Sequence, residues 1–437
     1  MRIQPIFFAN PVYYAQDEFM ADAGAMETLI RESLPTGAEC QPSITLYTQA
    51  EVDAYLASGH AVSPLLVVMS GATQRWVLSV AKAAKQSLLW WYFPGDGLFA
   101  AASEQLIGKI AAKNALPAVM DCWAHLRNRQ VDLEKVFDEN SLRQQLQRLA
   151  AQAKIRATRL LIIGYTQQWV VSASVDERKL EDRLGIQSVH IGLEELFAEY
   201  GKIPQDETVR AFVGQYLQTA AACREPSHQQ VADAYRLYLA LKVLLERYAA
   251  NALAISCFSL VKQLGVTSCL ALSLLNDDSR FVAACEGDLD AAVSMAVGKA
   301  VTGRPVFMGN PVYHLNNTLD IVHCTAPRKL TGEADLPYTV RSHHETGVSV
   351  AQRIEAPTPL TATVFRIGNE FSEATLFAAE LIGNPNEDTC RTQFRFRIDS
   401  TQKRLTESLG CHHLVIFGDY VEELRAVLSG PLGIPVR

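Results

Sequence analysis

A chain of 437 residues exceeds what one hydrophobic core usually serves, and with 49% apolar and 20% charged residues it reads as a globular protein of two or three domains. A net charge of −7, with Lys and Arg scattered along the chain, leaves no electrostatic footprint for nucleic acid. No apolar run of about 18 residues marks a membrane span, and the opening MRIQPIFFANPVYY has neither the basic start nor the cleavage site of a secretory leader. The expected location is therefore the cytoplasm, with no nucleic-acid or membrane partner.

In chain order, IQPIFF reads as a strand. LLVVMSG (65–71) is a second strand, stopped by a Gly turn before the helical pattern VLSVAKAAK. SLLWWYF follows as a third strand, so that strand, turn and helix alternate as in a parallel sheet flanked by helices. Residues 132–157, DLEKVFDENSLRQQLQRLAAQAKIRA, carry helical spacing with a mixed-charge face. They lead into RLLIIGYTQQW, an apolar strand ending in a Gly turn, where a second α/β unit begins. In that unit LGIQSVHIGLEEL reads as turn, strand and helix, and 228–254 as a long amphipathic helix. ISCFSLV and RFVAACE are the next buried strands. Beyond about residue 302 the texture turns to Pro, Gly, Thr and His, with VFRI, TQFRFRID and HHLVIFGD as short strands. The expected fold class is α/β: two Rossmann-like, doubly wound domains (1–153 and 154–302) followed by a β-rich domain (303–437).

Nine cysteines, an odd number without CxxC pairs, read as reduced packing residues rather than a zinc or disulfide framework. Six of the ten histidines (His314, His323, His343, His344, His412 and His413) fall in the C-terminal region.

The stretch AACEGDLDAAVSMA (283–296) places three carboxylates ahead of a small-residue helical run. FVAAC is a continuous apolar strand, so Glu286 stands at a strand's carboxyl end, the edge at which open α/β sheets bind ligands. Gly287 permits close backbone approach, Asp288 is placed to cap the following helix, and Asp290 favours its positive end.

CEGDLDAAVSM resembles the E-x-D-x-x-x-x-V-x-M region of the L-fucose isomerase superfamily, which includes the L-arabinose isomerases. CFSLV, CLALSLLNDD, PVFMGNPV, HCTAP, SHHETGVSV, TVFRI and GCHHLVIFGDYVEEL resemble further blocks of that group in order, so the resemblance covers most of 155–437. It implies an aldose–ketose isomerase working through an enediolate on an unphosphorylated monosaccharide. The same resemblance implies a divalent metal, commonly Mn²⁺, held by a Glu, an Asp and a His. Glu286 matches the Glu and His412 the His, with His413 as the neighbouring alternative. Asn310 stands where the family has its Asp, and an amide can offer an oxygen to a hard metal but cannot act as a second base. The expected metal set is Glu286, Asn310 and His412, with Glu286 and Asn310 at the chemistry. His323, His343, His344, Glu345 and His413 are expected around the sugar, with Glu345, His343, His344 and His323 also the candidates for a group that completes the metal site in place of the missing Asp, while Arg328, Lys329 and Arg341 are candidates for a charged substituent. The resemblance also implies a homo-oligomer, trimer or hexamer, with a pocket shared between subunits, for which TQRW (73–76) and WWYFPGDG (90–97) are the stretches of interest. The alternatives are a cytoplasmic sugar-binding protein, or an isomerase relative whose chemistry has changed with Asn310.

Overall fold

The computed structural model describes residues 2–32, 34, 38–58, 63–84, 87–90, 101–129, 131, 133–136, 139–173, 176–332 and 334–437. The chain divides into two compact units, Met1–Ala150 and Ala151–Arg437. It is a mixed α/β protein with parallel sheets and a β-rich C-terminal region.

In the first unit, Arg2–Phe8 is an inner strand of a parallel sheet. Glu39–Cys40 and Ile44–Leu46 pair with it on one side. Ser63–Val68, Ser87–Trp90 and Leu133–Val136 follow in order on the other. Ile6, Phe7, Phe8 and Leu65 to Val68 are fully buried, as expected for strands covered on both faces by helices. Residues 132–157 are not helical throughout: Leu133–Val136 forms a strand and the helix is Glu139–Arg156. That strand lies at the sheet's edge, where half-buried Glu134 and Lys135 are tolerated and mask the apolar signal of Leu133 and Val136. TQRW opens the helix Gln74–Ala83, and the Trp76 indole donates to Gln49 Oε1 at 2.8 Å. Residues 91–97 of WWYFPGDG lie outside the described residues.

The second unit begins with a four-stranded parallel sheet in the order Val282–Ala284, Ala252–Ile255, Arg159–Ile163, Gln187–Ile191. ISCFSLV is not one strand: Ala252–Ile255 ends at its first residue, and Phe258–Leu264 is a helix. A short apolar run satisfies either periodicity, and here the chain has already crossed the sheet. Six antiparallel strands then close into a barrel: Phe307–His314, Thr318–His323, Thr392–Arg397, Glu373–Gly383, Leu360–Gly368 and His413–Phe417.

The helix Leu289–Thr302 joins sheet to barrel, and its residues Leu289 to Gly298 are all buried. Small residues make this possible: a Cβ at Gly298 would come within 2.7 Å of the Phe365 ring. One continuous core spans both parts. The strands Arg159–Ile163, Ala252–Ile255 and Val282–Ala284 are parallel neighbours, so their carboxyl ends share one edge, and the candidate site forms there. No described helix is long and apolar enough to cross a membrane.

Candidate active site at the Glu286 turn

The chain leaves Val282–Ala284 through Glu286 and Gly287, both in the left-handed region with φ of 59° and 62°. Gly287 is required sterically, since a Cβ there would lie 2.5 Å from the carbonyl oxygen of Tyr165. Glu286 has no such dispensation, and a non-glycine residue held in this region costs on the order of 1–3 kcal/mol. Surrounding bonds hold it there: the Gln167 amide donates to the Glu286 carbonyl at 2.9 Å, and the Gly287 amide to that of Ile255 at 2.8 Å. The turn aims the Glu286 side chain at the barrel rather than along the strand.

Two imidazoles meet it. His323 ends the strand Thr318–His323 and His412 leads into His413–Phe417. Their Nε2 atoms lie 3.7 and 3.6 Å from Glu286 Oε1, and one ligand atom from each of the three residues lies within 4.8 Å of the others. The His412 Nε2 is fully buried and has no hydrogen-bond partner. Its other ring nitrogen is engaged: Asp288 Oδ2 lies 2.7 Å from Nδ1 and accepts its proton's hydrogen bond, so Nε2 is the ring atom turned towards Glu286. The His323 ring is oriented by the Thr325 hydroxyl, 2.8 Å from its Nδ1, which can donate or accept and so sets the ring's direction and not its tautomer. A carboxylate oxygen and two oriented imidazole nitrogens suit Mn²⁺, Fe²⁺, Co²⁺ or Zn²⁺ better than the oxygen-preferring Mg²⁺ or Ca²⁺. The residues present therefore fit a divalent metal.

Asp288 and Asp290, the other two acids of the 283–296 stretch, are not among the three candidate ligands; Asp288 stands behind His412. Asp288 caps the helix Leu289–Thr302, accepting from the Ala291 amide at 2.9 Å. It also receives Arg366 at 3.1 Å, and Arg366 lies 3.7 Å from Asp290. All three side chains are completely buried, so their charges must balance internally. Arg366 also donates to the His412 carbonyl at 2.9 Å, fixing the backbone beside the imidazole.

Burial alone would raise the Glu286 carboxyl, but the His323 and His412 imidazoles outweigh it and hold it well below the usual carboxylate range. Burial disfavours a charged His412, yet Asp288 and Glu286 lift it well above the ordinary histidine value. His413 shows the contrast: burial first, and then Arg366, push it down to about 3.

One cavity brings together Glu286, Asn310, His323, His343 and Glu345, walled by Phe258, Val261, Thr267 and the thiols of Cys257, Cys269, Cys285, Cys324 and Cys390. All the cysteines are free. Among the described lining residues there is no Lys or Arg.

Asn310, expected beside Glu286 and His412 as a ligand, lies in the cavity wall, while His323, expected at the sugar or in place of the missing Asp, completes the carboxylate–imidazole group. His344 does not line the cavity and stands 3.8 Å from Asp388. His413 points elsewhere, with Nε2 2.7 Å from the Tyr313 hydroxyl, because successive residues of extended chain face opposite ways. Of the basic candidates, Arg341 pairs with Glu225 at 2.7 Å and Arg328 with Asp335 at 3.0 Å.

Sequence reasoning missed Trp169, whose indole donates to Glu286 Oε2 at 2.7 Å, and Arg366. A signal existed for each. RLLIIGYTQQW ends an apolar strand in a Gly turn, as the strand before Glu286 ends in one at Gly287, and an Arg inside the apolar strand run TVFRI demands acidic partners.

No family model matches the chain. Over 296 residues it is 25% identical to the sulfoquinovose isomerase of Clostridium sp. (strain MSTE9), a match covering 63% of each chain. Over 247 residues it is 25% identical to the sulfoquinovose isomerases of Priestia aryabhattai and Priestia megaterium (strain ATCC 12872 / QMB1551), covering 54% of each. The chain is related to sugar isomerases. The similarity spans less than two thirds of the length of these relatives.

Proposed function

We propose that the protein is a metal-dependent aldose–ketose isomerase acting on a free, unphosphorylated monosaccharide. The observation that carries this reading is the convergence of Glu286, His323 and His412, with the buried His412 Nε2 left without a hydrogen-bond partner. The similarity to sulfoquinovose isomerases supports a sugar substrate and puts a sulfonate-bearing hexose first in the panel to be tested. With carboxylates, imidazoles and an amide along its described lining and no Lys or Arg, the cavity suits the neutral, reacting end of such a sugar.

The reaction moves a weakly acidic proton from one carbon to its neighbour across a carbonyl. Glu286, His323 and His412 would hold a divalent ion, with Mn²⁺ our choice, which would supply Lewis-acid polarisation worth several kcal/mol. The chain's own groups do the rest. Glu286, in the cavity beside the imidazoles, is the carboxylate placed to accept the proton, a role contributing roughly 10²- to 10⁴-fold in rate. Asn310 offers an amide to a hydroxyl and cannot take a proton, so Glu345, beside His343 at 3.7 Å, is the second carboxylate available in the cavity. Phe258, Val261 and the thiols exclude water from the charge that develops.

The test is turnover of an aldose panel, sulfonated and unsubstituted, by protein stripped with EDTA and then reloaded with Mn²⁺. Metal-dependent ketose formation is expected, and Glu286→Gln should lower it by at least about 10²-fold with folding intact. Metal binding without turnover of any sugar would leave a binding protein and defeat the enzymatic reading.

A further inference from the structure

The loop after the strand Arg159–Ile163 carries Tyr165, Trp169 and Val171 with 54%, 56% and 88% of their surfaces exposed. Three such side chains in one short loop form an exposed, largely apolar surface. The loop is fastened to the Glu286 turn. In addition to the Gln167 amide bond, the Thr166 hydroxyl donates to the Gly287 carbonyl at 2.8 Å. Trp169 is thus held in place by its backbone neighbours, and its side chain reaches two things. Its Nε1 donates to Glu286 Oε2 at 2.7 Å. Its ring meets Phe258 edge-on at 5.0 Å, and Phe258 meets His343 edge-on at 5.7 Å. Phe258 and His343 line the cavity, so a run of three rings links the Glu286 carboxylate to the cavity wall.

The two oxygens of Glu286 are therefore differentiated. Oε1 faces His323 and His412, while Oε2 accepts the indole proton. A carboxylate with one oxygen tied by a short charge-assisted bond cannot rotate freely about its last torsion. The indole suits this task because it is a donor only, unable to compete for a cation or to take a proton. Its ring meanwhile offers a broad, rigid apolar face.

We propose that Trp169 performs two tasks in this site: its N–H fixes the Glu286 carboxylate with Oε1 turned to the imidazoles, and its exposed face is the platform for the C–H face of the monosaccharide. The second task rests on the isomerase reading above; the first stands on geometry alone. Trp169 is a positioning residue for Glu286 and a contact residue for the sugar.

Two substitutions separate the tasks. Trp169→Phe keeps a ring and removes the donor, whereas Trp169→Gln keeps a donor and removes the ring. Because the other four tryptophans fall within residues 1–150, the difference in emission between the wild-type protein and Trp169→Phe isolates this indole. Mn²⁺ alone, a paramagnetic quencher, is the probe, with free Mn²⁺ followed by electron paramagnetic resonance. Mn²⁺ should quench the Trp169 emission, and Trp169→Phe should bind Mn²⁺ about tenfold to a hundredfold more weakly, the range for losing a hydrogen bond to a charged group. Its kcat should fall with KM little changed. Trp169→Gln should recover most of the Mn²⁺ affinity while raising KM for the sugar about tenfold. Wild-type Mn²⁺ affinity in Trp169→Phe, with indole emission indifferent to the ion, would overturn the positioning task. An unchanged KM in Trp169→Gln would overturn the platform. If the wild-type protein turns over no sugar, the isomerase reading and the platform fall together, while the Mn²⁺ titration still decides the positioning task.

Discussion

Asp288 shows how one side chain can serve fold and site together. It caps the helix Leu289–Thr302, neutralises buried Arg366 and fixes the His412 tautomer. Asn in its place can still cap and still accept a hydrogen bond from His412, and Arg366 keeps Asp290, so Asp288→Asn should fold with stability lowered by about 3–5 kcal/mol. What it loses is the negative charge that makes the imidazole a better donor to a metal. The expected result is a fall in Mn²⁺ affinity of about 10- to 100-fold, the usual cost of altering a group behind a ligating histidine, measured by titration calorimetry. Unchanged affinity would remove Asp288 from the ion's surroundings. At this scale the sequence was legible where chemistry and local pattern coincide: a strand-turn-helix signature marked Glu286 as facing a crevice and Asp288 as its cap. Trp169 and Arg366 left a local signal but no sign of their partners, which lie 117 and 78 residues away and are brought to them only by the sheet order and barrel closure. The sequence left His323 between the sugar and the metal site for the same reason: a loop position in sequence says nothing of which way a strand end points.

Among elements, legibility followed the strength of periodicity. The parallel strands in the first unit and the helix His228–Arg247 follow from unbroken patterns. Leu133–Val136 and Phe258–Leu264 do not, one being an edge strand with charges and the other an apolar run short enough for either form. The end of the helix Cys269–Asp277 carries a testable consequence. Asp277 is buried, accepts from the Lys329 amide at 2.8 Å and lies 3.5 Å from Arg328. Burial dominates these favourable contacts and pushes its pKa up to about 6 from 3.8. A folded-state value above the unfolded one means the native state binds more protons between about pH 4 and 6, so its contribution is fully present below pH 4 and lost as pH rises through 6. The loss is on the order of 3 kcal/mol. Asp277→Asn, which can still accept from Lys329, should remove this component, seen as a flatter dependence of the urea midpoint on pH from 4 to 7. A variant with the wild-type slope would show that Asp277 ionises in the folded protein at no cost.

For the molecule as a whole, the candidate ligands come from three separate parts of residues 151–437: the turn after Val282–Ala284, the end of Thr318–His323 and the entry to His413–Phe417. An ion held there ties the parallel sheet to the barrel, two parts that already share the core around Leu289–Thr302. Because the three groups are assembled only by folding, an ion that binds them stabilises the native state by about 2.7 kcal/mol at a hundredfold excess over its Kd. Differential scanning calorimetry should show Mn²⁺ raising the transition of residues 151–437 by several degrees, with EDTA reversing it. Mg²⁺ and Ca²⁺, which prefer oxygen donors, should do less. Hydrogen exchange should slow most at 285–287, 323–324 and 411–412, where backbone carries the ligands. Glu286→Gln separates this from generic ion binding by the acidic surface, because it removes one ligand charge and leaves the net surface charge almost unaltered. An equal Mn²⁺ shift in that variant would place the ion elsewhere. A shift lost with Glu286, retained with a substitution at exposed Glu345, and localised by exchange to those three segments would tie the stability of the unit to the carboxylate that the proposed chemistry needs.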